Sequence, residues 1–343
     1  MAHYDTGHGI ADAASRRRPL APAVVLLLAL AAVTSPALAE RASHRNAPEA
    51  TAWLDRTAEA ARTLNYVGTI VYQHGNRVET SRLVHRNENG VESEKLINLD
   101  GPAREVIRSE DEVRCYYPDN KVLRIEPRTF RNAFPALSPQ QRRSLTDQYT
   151  VRKAETARVA GLDAQAYTFE PKDRYRYAQK VWVDVNTGLL LKVRIQNERE
   201  EAVEQFAFTD LTIGGNVDRD LVRPTWTGTP KEWLVQRVAP GATESKDTGW
   251  EVARLPSGFV KTGEGFRTMP GKRDPVAHLL FSDGIVTVSV FIEPASSTPR
   301  PSGHTQIGAV NAFVRQLDDN VATVLGEAPP ATVRRIANEI SRK

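Results

Sequence analysis

The sequence predicts an α+β fold: a large antiparallel β-sheet with covering helices, followed by a smaller mixed α/β domain. Three observations carry that prediction. Residues 66–213 are a succession of period-two segments separated by turn residues about every 8–12 positions, the spacing of an antiparallel meander. Tyr177–Gln196 is a hairpin within it: Val181, Val183 and Val185 share one face, Leu189, Leu191, Val193 and Ile195 share another, and Asn186-Thr187-Gly188 turns between them. Helical spacing is confined to the stretch after Asn46, a short segment from Ser138, and the stretch after Pro330.

Arg16, Arg17 and Arg18 precede an apolar run from Leu20 to Val33, and Ala37-Leu38-Ala39 supplies a small-residue cleavage signal before Glu40. The run is shorter than the ~20 residues a membrane span needs. Residues 1–39 are therefore read as a signal peptide and the mature chain as exported. That segment holds three arginines and two aspartates, so the net charge of +4 becomes +3 on its removal. So mild a charge argues against nucleic acid as a partner. Cys115 is the one cysteine, which leaves no intramolecular disulfide. Within Glu112–Tyr117 it reads as a small buried apolar residue.

In order along the chain, Asn46 caps a helix with Pro48 in its first turn. Ala50, Trp53, Leu54, Thr57, Ala58, Ala61 and Leu64 face the core, and Asp55, Arg56, Glu59 and Arg62 face water. Strands follow at Tyr66–Gln73, Arg77–Arg86, Val91–Leu99, Ala103–Arg108, Glu112–Tyr117 and Lys121–Glu126, with Asn89-Gly90 as the clearest hairpin turn. Residues 127–148, with three prolines, form a long connection. Strands resume at Tyr149–Arg158, Leu162–Glu170, the central hairpin and Glu201–Ile213. The first domain is thus 46–215. A turn-rich linker, 216–247, carries one strand at Trp233–Val238. The second domain, 248–343, has hairpins about Asp283-Gly284 and Asp318-Asp319-Asn320, and a terminal helix from Pro330 with Val333, Ile336, Ala337 and Ile340 on one face.

No reactive constellation stands out. The sequence lacks G-x-S-x-G, H-E-x-x-H and the phosphate-binding G-x-x-x-x-G-K-[ST]. His74 and His85 are placed opposite each other across a hairpin, and two histidines without further ligands read as surface residues. Glu92, Glu94 and Lys95 read as a solvated face. An enzyme is not expected, nor is a cofactor or a metal.

The segment Val181–Val193, V-W-V-D-x-x-T-G-L-L-L-K-V, resembles the hairpin of the LolA/LolB lipoprotein-carrier fold. Leu99–Arg108 (LDGPAREVIR), Glu204–Leu211 (EQFAFTDL), Leu255–Phe259 (LPSGF), Leu279–Glu293 (LLFSDGIVTVSVFIE) and Val324–Ala337 (VLGEAPPATVRRIA) resemble the RseB/MucB family of periplasmic regulators of the sigma-E envelope stress response. They occur in the family's order over nearly all of the mature chain. The resemblance implies a curved antiparallel sheet forming an incomplete barrel with helices on its concave face, and a small C-terminal partner-binding domain. It implies binding to the periplasmic part of a membrane-spanning anti-sigma factor, shielding of that factor from site-1 proteolysis, and release by lipopolysaccharide or lipoprotein acyl chains. The competing function is a periplasmic lipid or lipoprotein carrier. A homo-oligomer is compatible with either.

Two sets of site residues follow as expectations. Arg254, Phe259 and Arg273, taken as exposed beside the small domain's hairpin, are expected to meet the partner, because arginine and aromatic side chains are enriched at binding hot spots. Trp53, Tyr66, Ile70, Tyr72, Val181 and Val183 are expected to line an apolar groove for acyl chains beneath the movable helix.

Overall fold

The computed structural model describes residues 47–109, 111–127, 145–226, 233–237, 247–267, 269, 274–295, 302–307 and 310–343. The signal peptide, the Asn46 cap, most of the 127–148 connection and Arg273 lie outside the described residues. Helix α1 (Ala47–Thr63) buries Leu54, Thr57 and Ala60, one side chain per turn, and the Thr57 hydroxyl donates to the Trp53 carbonyl at 3.0 Å.

Twelve strands form the first sheet. β1 (Tyr66–His74), β2 (Arg77–Glu88), β3 (Val91–Asn98), β4 (Glu105–Arg108), β5 (Glu112–Tyr117) and β6 (Val122–Pro127) make one meander. β7 (Tyr149–Val159), β8 (Leu162–Pro171), β9 (Ala178–Asp184), β10 (Leu190–Gln196) and β11 (Ala202–Ile213) make a second. The two are joined because β11 returns to pair with β1, giving the order β12-β6-β5-β4-β3-β2-β1-β11-β10-β9-β8-β7. The twelfth strand, β12 (Leu234–Arg237), is the one expected inside the linker. It runs parallel to β6 and extends the sheet.

The hairpin at the heart of the sequence reading is β9–β10, with a bulge between Leu190 and Lys192. Its turn is held by Asp184, whose Oδ2 accepts from the Thr187 amide and hydroxyl, both at 2.7 Å. Gly188 has a φ of +83°, and a Cβ there would meet Cγ of Arg56 at 2.7 Å. Arg56, expected to face water, reaches from α1 to donate to the Val185 carbonyl at 3.1 Å and to the Asn186 carbonyl. The D-x-x-T-G part of the motif is therefore a turn shaped for contact with the helix.

Two readings are corrected. In the β1–β2 pairing His85 lies opposite Tyr66, and His74 opposite Arg77. The histidines do not face each other: His85 stacks on Tyr66, and its Nδ1 is 2.8 Å from the Leu64 carbonyl. Lys95 is not part of a solvated face. It is 5% exposed, 3.1 Å from Glu105, and donates to the Arg223 carbonyl and the Thr225 hydroxyl. A buried ammonium needs such partners, because leaving it unpaired away from water is costly. The pair fixes the exit of the chain from the large sheet.

The second sheet has the order β14 (Val260–Arg267), β15 (Val276–Ser282), β16 (Thr287–Pro294), β19 (Asn320–Gly326), β18 (Val310–Leu317) and β17 (Gly303–Ile307). Helix α2 (Pro330–Asn338) packs on it through Thr332, Val333, Ile336 and Ala337, over Leu279, Phe281, Val288, Val290 and Val324. Ile340, expected on the helix, instead opens β20 (Ile340–Arg342), which pairs with β13 (Trp250–Val252); it is buried all the same.

His278 of β15 is 4% exposed, stacked on Phe291 at 4.4 Å, and its Nε2 has no hydrogen-bond partner. Burial, then the charge of Arg267, lowers its pKa from 6.5 to about 4. Between those values the unfolded chain binds more protons than the folded one, so stability falls as pH falls through that window. We expect the thermal midpoint of the wild-type chain to drop more than that of His278→Leu between pH 7 and pH 4.5. Parallel pH profiles would refute this reading of His278.

Candidate functional site

The two sheets belong to one compact unit, Arg45–Lys343, and meet around Arg176. This residue sits in the connection between β8 and β9, and its side chain has no exposed surface. Nε donates to Asp283 Oδ2 at 2.6 Å, one terminal nitrogen donates to Asp173 at 2.6 Å, and the other donates to the Ser257 carbonyl. The guanidinium lies 5.0 Å from the centre of the Phe259 ring. Asp283 is equally committed. Its Oδ1 accepts from the amides of Ile285 and Val286 at 3.0 and 2.8 Å, closing the β15–β16 turn. One carboxylate thus shapes a hairpin of the small sheet and receives a cation from the large one.

The sequence around Ser257 is shaped for this contact. Gly258 has a φ of +79°, and a Cβ there would come within 3.0 Å of Gln148 and reach the Arg176 guanidinium. A second set of bonds crosses nearby. The Thr332 hydroxyl donates to the Tyr175 carbonyl at 2.7 Å, and Asn311 donates to the Tyr177 hydroxyl at 2.9 Å. Asn311, with no exposed surface, also donates to the Ala328 carbonyl. Apolar packing follows the same line, since Ile285 touches the cluster of Leu54, Leu145, Tyr149, Phe169 and Val181. Tyr149 is buried there with its hydroxyl unpartnered, and burial, then the charge of Asp283, pushes its pKa up. Beside these contacts a cleft of about 330 Å³ opens between the sheets, walled by Tyr177, Gln179 and Ile195 on one side and by Ile285, Val310, Leu325 and Glu327 on the other.

The residues expected to meet a partner separate in the structure. Arg254 is exposed, with 78% of its side chain accessible and Glu339 at 3.8 Å. Phe259 is not: it is 5% exposed because its ring packs under Arg176, which corrects the expectation that it lies on the surface.

Four of the six expected groove residues fall in two apolar clusters, and Val183 and Tyr72 lie in neither. Val181 and Trp53 belong with Leu54 beneath α1, and Trp53 stacks on Tyr167 at 4.2 Å. Tyr66 and Ile70 pack with Ala60, Leu191 and Phe208. Val183 is 5% exposed, and Tyr72 is half-buried beside His74. The space under α1 is filled by side chains, so a ligand there requires the helix to move.

The junction was missed by sequence reasoning. Arg176 and Asp173 are ordinary charged residues in sequence, and nothing local marks them as buried. Among the described residues no group of three or more His, Cys, Asp or Glu is placed to hold a metal ion.

Comparison with known proteins gives a consistent picture. A family model described as the MucB/RseB N-terminal domain matches residues 49–226, and one described as the MucB/RseB C-terminal domain matches residues 244–341. The sigma factor AlgU regulatory protein MucB of Pseudomonas aeruginosa is 32% identical over 300 residues, covering 86% of this chain and 91% of the relative. The sigma-E factor regulatory protein RseB of Escherichia coli K12 is 26% identical over 295 residues, covering 85% and 91%. The solved Pseudomonas aeruginosa MucA/MucB complex superposes with a TM-score of 0.69 at 31% identity, over 86% of this chain and 99% of that one. A further crystal structure of MucB gives a TM-score of 0.59 at 30% identity over 86% and 98%.

Removing one partner of a buried ion pair strands the other charge, at a cost of about 3–5 kcal/mol. Arg176→Met should therefore lower unfolding free energy by about that amount, and Arg176→Met combined with Asp283→Asn should recover part of it. Chemical denaturation of the single and double variants measures both. A cost below about 1 kcal/mol for Arg176→Met, the range of exposed pairs, would contradict the clamp.

Proposed function

The chain belongs to the MucB/RseB family, and on that premise we propose that it is a periplasmic negative regulator of the envelope stress response. It binds the periplasmic part of a membrane-spanning anti-sigma factor and shields it from site-1 proteolysis, so that the sigma factor stays sequestered. One observation carries this reading: both family domains are matched, in order, across residues 49–341. A relative of 30% identity has been solved in complex with MucA(peri), and this chain aligns with 86% of its length to that structure. The chain acts as a binding protein and not as an enzyme. A carrier role needs the large sheet alone, and the matched C-terminal domain favours the regulator.

The division of labour we propose is a lipid-sensing domain at 46–215, a linker at 216–247 and a partner-binding domain at 248–343. In the last, Arg254 is exposed beside Glu339 and is the residue we assign to the partner contact. The large sheet supplies the release mechanism. An acyl chain entering under α1 must displace the Trp53–Tyr167 stack and the Arg56 contacts with the hairpin turn. Burial of about 0.8 kcal/mol per CH₂ lets roughly eight methylenes offset such an opening. The lipid releases the partner only if it binds the released form better.

The test uses residues 40–343 and the purified periplasmic fragment of the anti-sigma factor. Saturable binding and slower site-1 cleavage of the fragment are expected; unchanged cleavage at saturating concentration would overturn the proposal. Lipopolysaccharide titrated with and without fragment should show weaker binding in its presence, by the factor with which it weakens the fragment. Equal lipid affinities would remove the release mechanism while leaving the shielding role standing.

A further inference from the structure

The cleft between the sheets carries a charge pattern of its own. Directly opposed residues of antiparallel strands lie on one face, with Cβ atoms about 4.5–5.5 Å apart. Gln179, Ile195, Glu204 and His74 are opposed in succession across β9, β10, β11 and β1. They form one row. Gln179 and Ile195 wall the cleft, and Glu204 stands next in line. One oxygen of Glu204, Oε2, is shut off from solvent and has no hydrogen-bond partner.

Glu327, immediately after β19, lines the cleft from the small sheet, close enough to Glu204 for the two charges to act on each other. It is exposed at the mouth of the cleft. Burial, then the charge of Glu204, raises its pKa, and His74 lowers it. The Tyr72 phenol is pushed up by burial, then by its hydrogen bond to the Glu204 carboxylate, then by the charges of Glu204, Glu327 and Glu79. The other charged groups near the row are His74, whose Nδ1 is 3.3 Å from the Tyr72 hydroxyl, Arg77 at the exposed end of β2, and Glu79.

A cleft-lining carboxylate of the small sheet and a second one in the row beside the cleft thus lie within electrostatic reach of each other, and Oε2 of Glu204 has no hydrogen-bond partner. That chemistry is complementary to a side chain with an apolar stem and a cationic head. The volume, about 330 Å³, falls within the ~300–1,000 Å³ of ligand pockets, which favour such junctions.

We propose that the cleft receives a lysine or arginine side chain of the anti-sigma factor, its stem along Ile195, Ile285 and Leu325 and its head between Glu204 and Glu327. The inference rests on the binding function proposed above and names one anchor of that contact. An anchor so placed touches both sheets at once, and its binding depends on the sheets keeping their present separation.

The test is calorimetric titration of residues 40–343 with the periplasmic anti-sigma fragment at two salt concentrations. Glu327→Lys should weaken binding about tenfold or more, because it replaces an attractive carboxylate with a cation that repels the anchoring side chain. Glu204→Gln should weaken it several-fold, and both should flatten the salt dependence. Glu251→Gln, an exposed carboxylate on β13, should leave it unchanged. Should Glu204→Gln fail to fold, Glu327→Lys decides, because that side chain is exposed. Wild-type affinity and salt dependence in Glu327→Lys would overturn the anchor while the binding function stands. Failure of the wild-type chain to bind would overturn both.

Discussion

A guanidinium with no exposed surface persists only where its donors are met and its charge is balanced. Arg176 meets that condition with groups from both sides of a junction: Asp173 from its own connection, and Asp283 and the Ser257 carbonyl from the small sheet. Each of those groups is held by other bonds. Asp283 closes a hairpin turn, and Ser257 sits beside a glycine that only a positive φ could place there. The contact therefore fixes an orientation as well as a proximity. A buried ion pair is weak evidence of net stability, but a misplaced one is expensive. The arrangement of the two sheets follows from that asymmetry.

Three of the five segments that carry the family likeness meet at this junction. Leu255–Phe259 supplies the Ser257 carbonyl and the Phe259 ring beneath the guanidinium. Leu279–Glu293 supplies Asp283, and Val324–Ala337 supplies Glu327 at the cleft and Thr332 on the Tyr175 carbonyl. Asp184, Thr187 and Gly188 of the β9–β10 turn act at the other end of that hairpin, under α1. The same hairpin thus has one end against α1 and the other lining the cleft between the sheets.

Much of the fold was legible because it is written in local patterns. Alternating valines and leucines marked β9 and β10, Asn89-Gly90 marked the β2–β3 turn, and Pro330 marked the start of α2. The failures share one cause. Lys95, Phe259, Arg176 and the pairing of His74 owe their surroundings to residues far away in sequence: Glu105 and Arg223, Arg176, Asp283, and the β1–β2 register. A charged residue looks solvated until its distant partner is known. β12 was placed in the linker because its partner β6 precedes it by about a hundred residues and pairs in parallel. The family resemblance made the function legible where individual residues could not, since a binding surface has no reactive signature.

The central claim is that the junction makes one binding body of the two sheets. Hydrogen exchange of residues 40–343, with and without the periplasmic anti-sigma fragment, tests it most directly. The account predicts added protection on both sides of the cleft, in residues 190–205 of the large sheet and in residues 285–289 and 325–332 of the small domain. Protection confined to one sheet, with the other side of the junction exchanging as in the free protein, would contradict it.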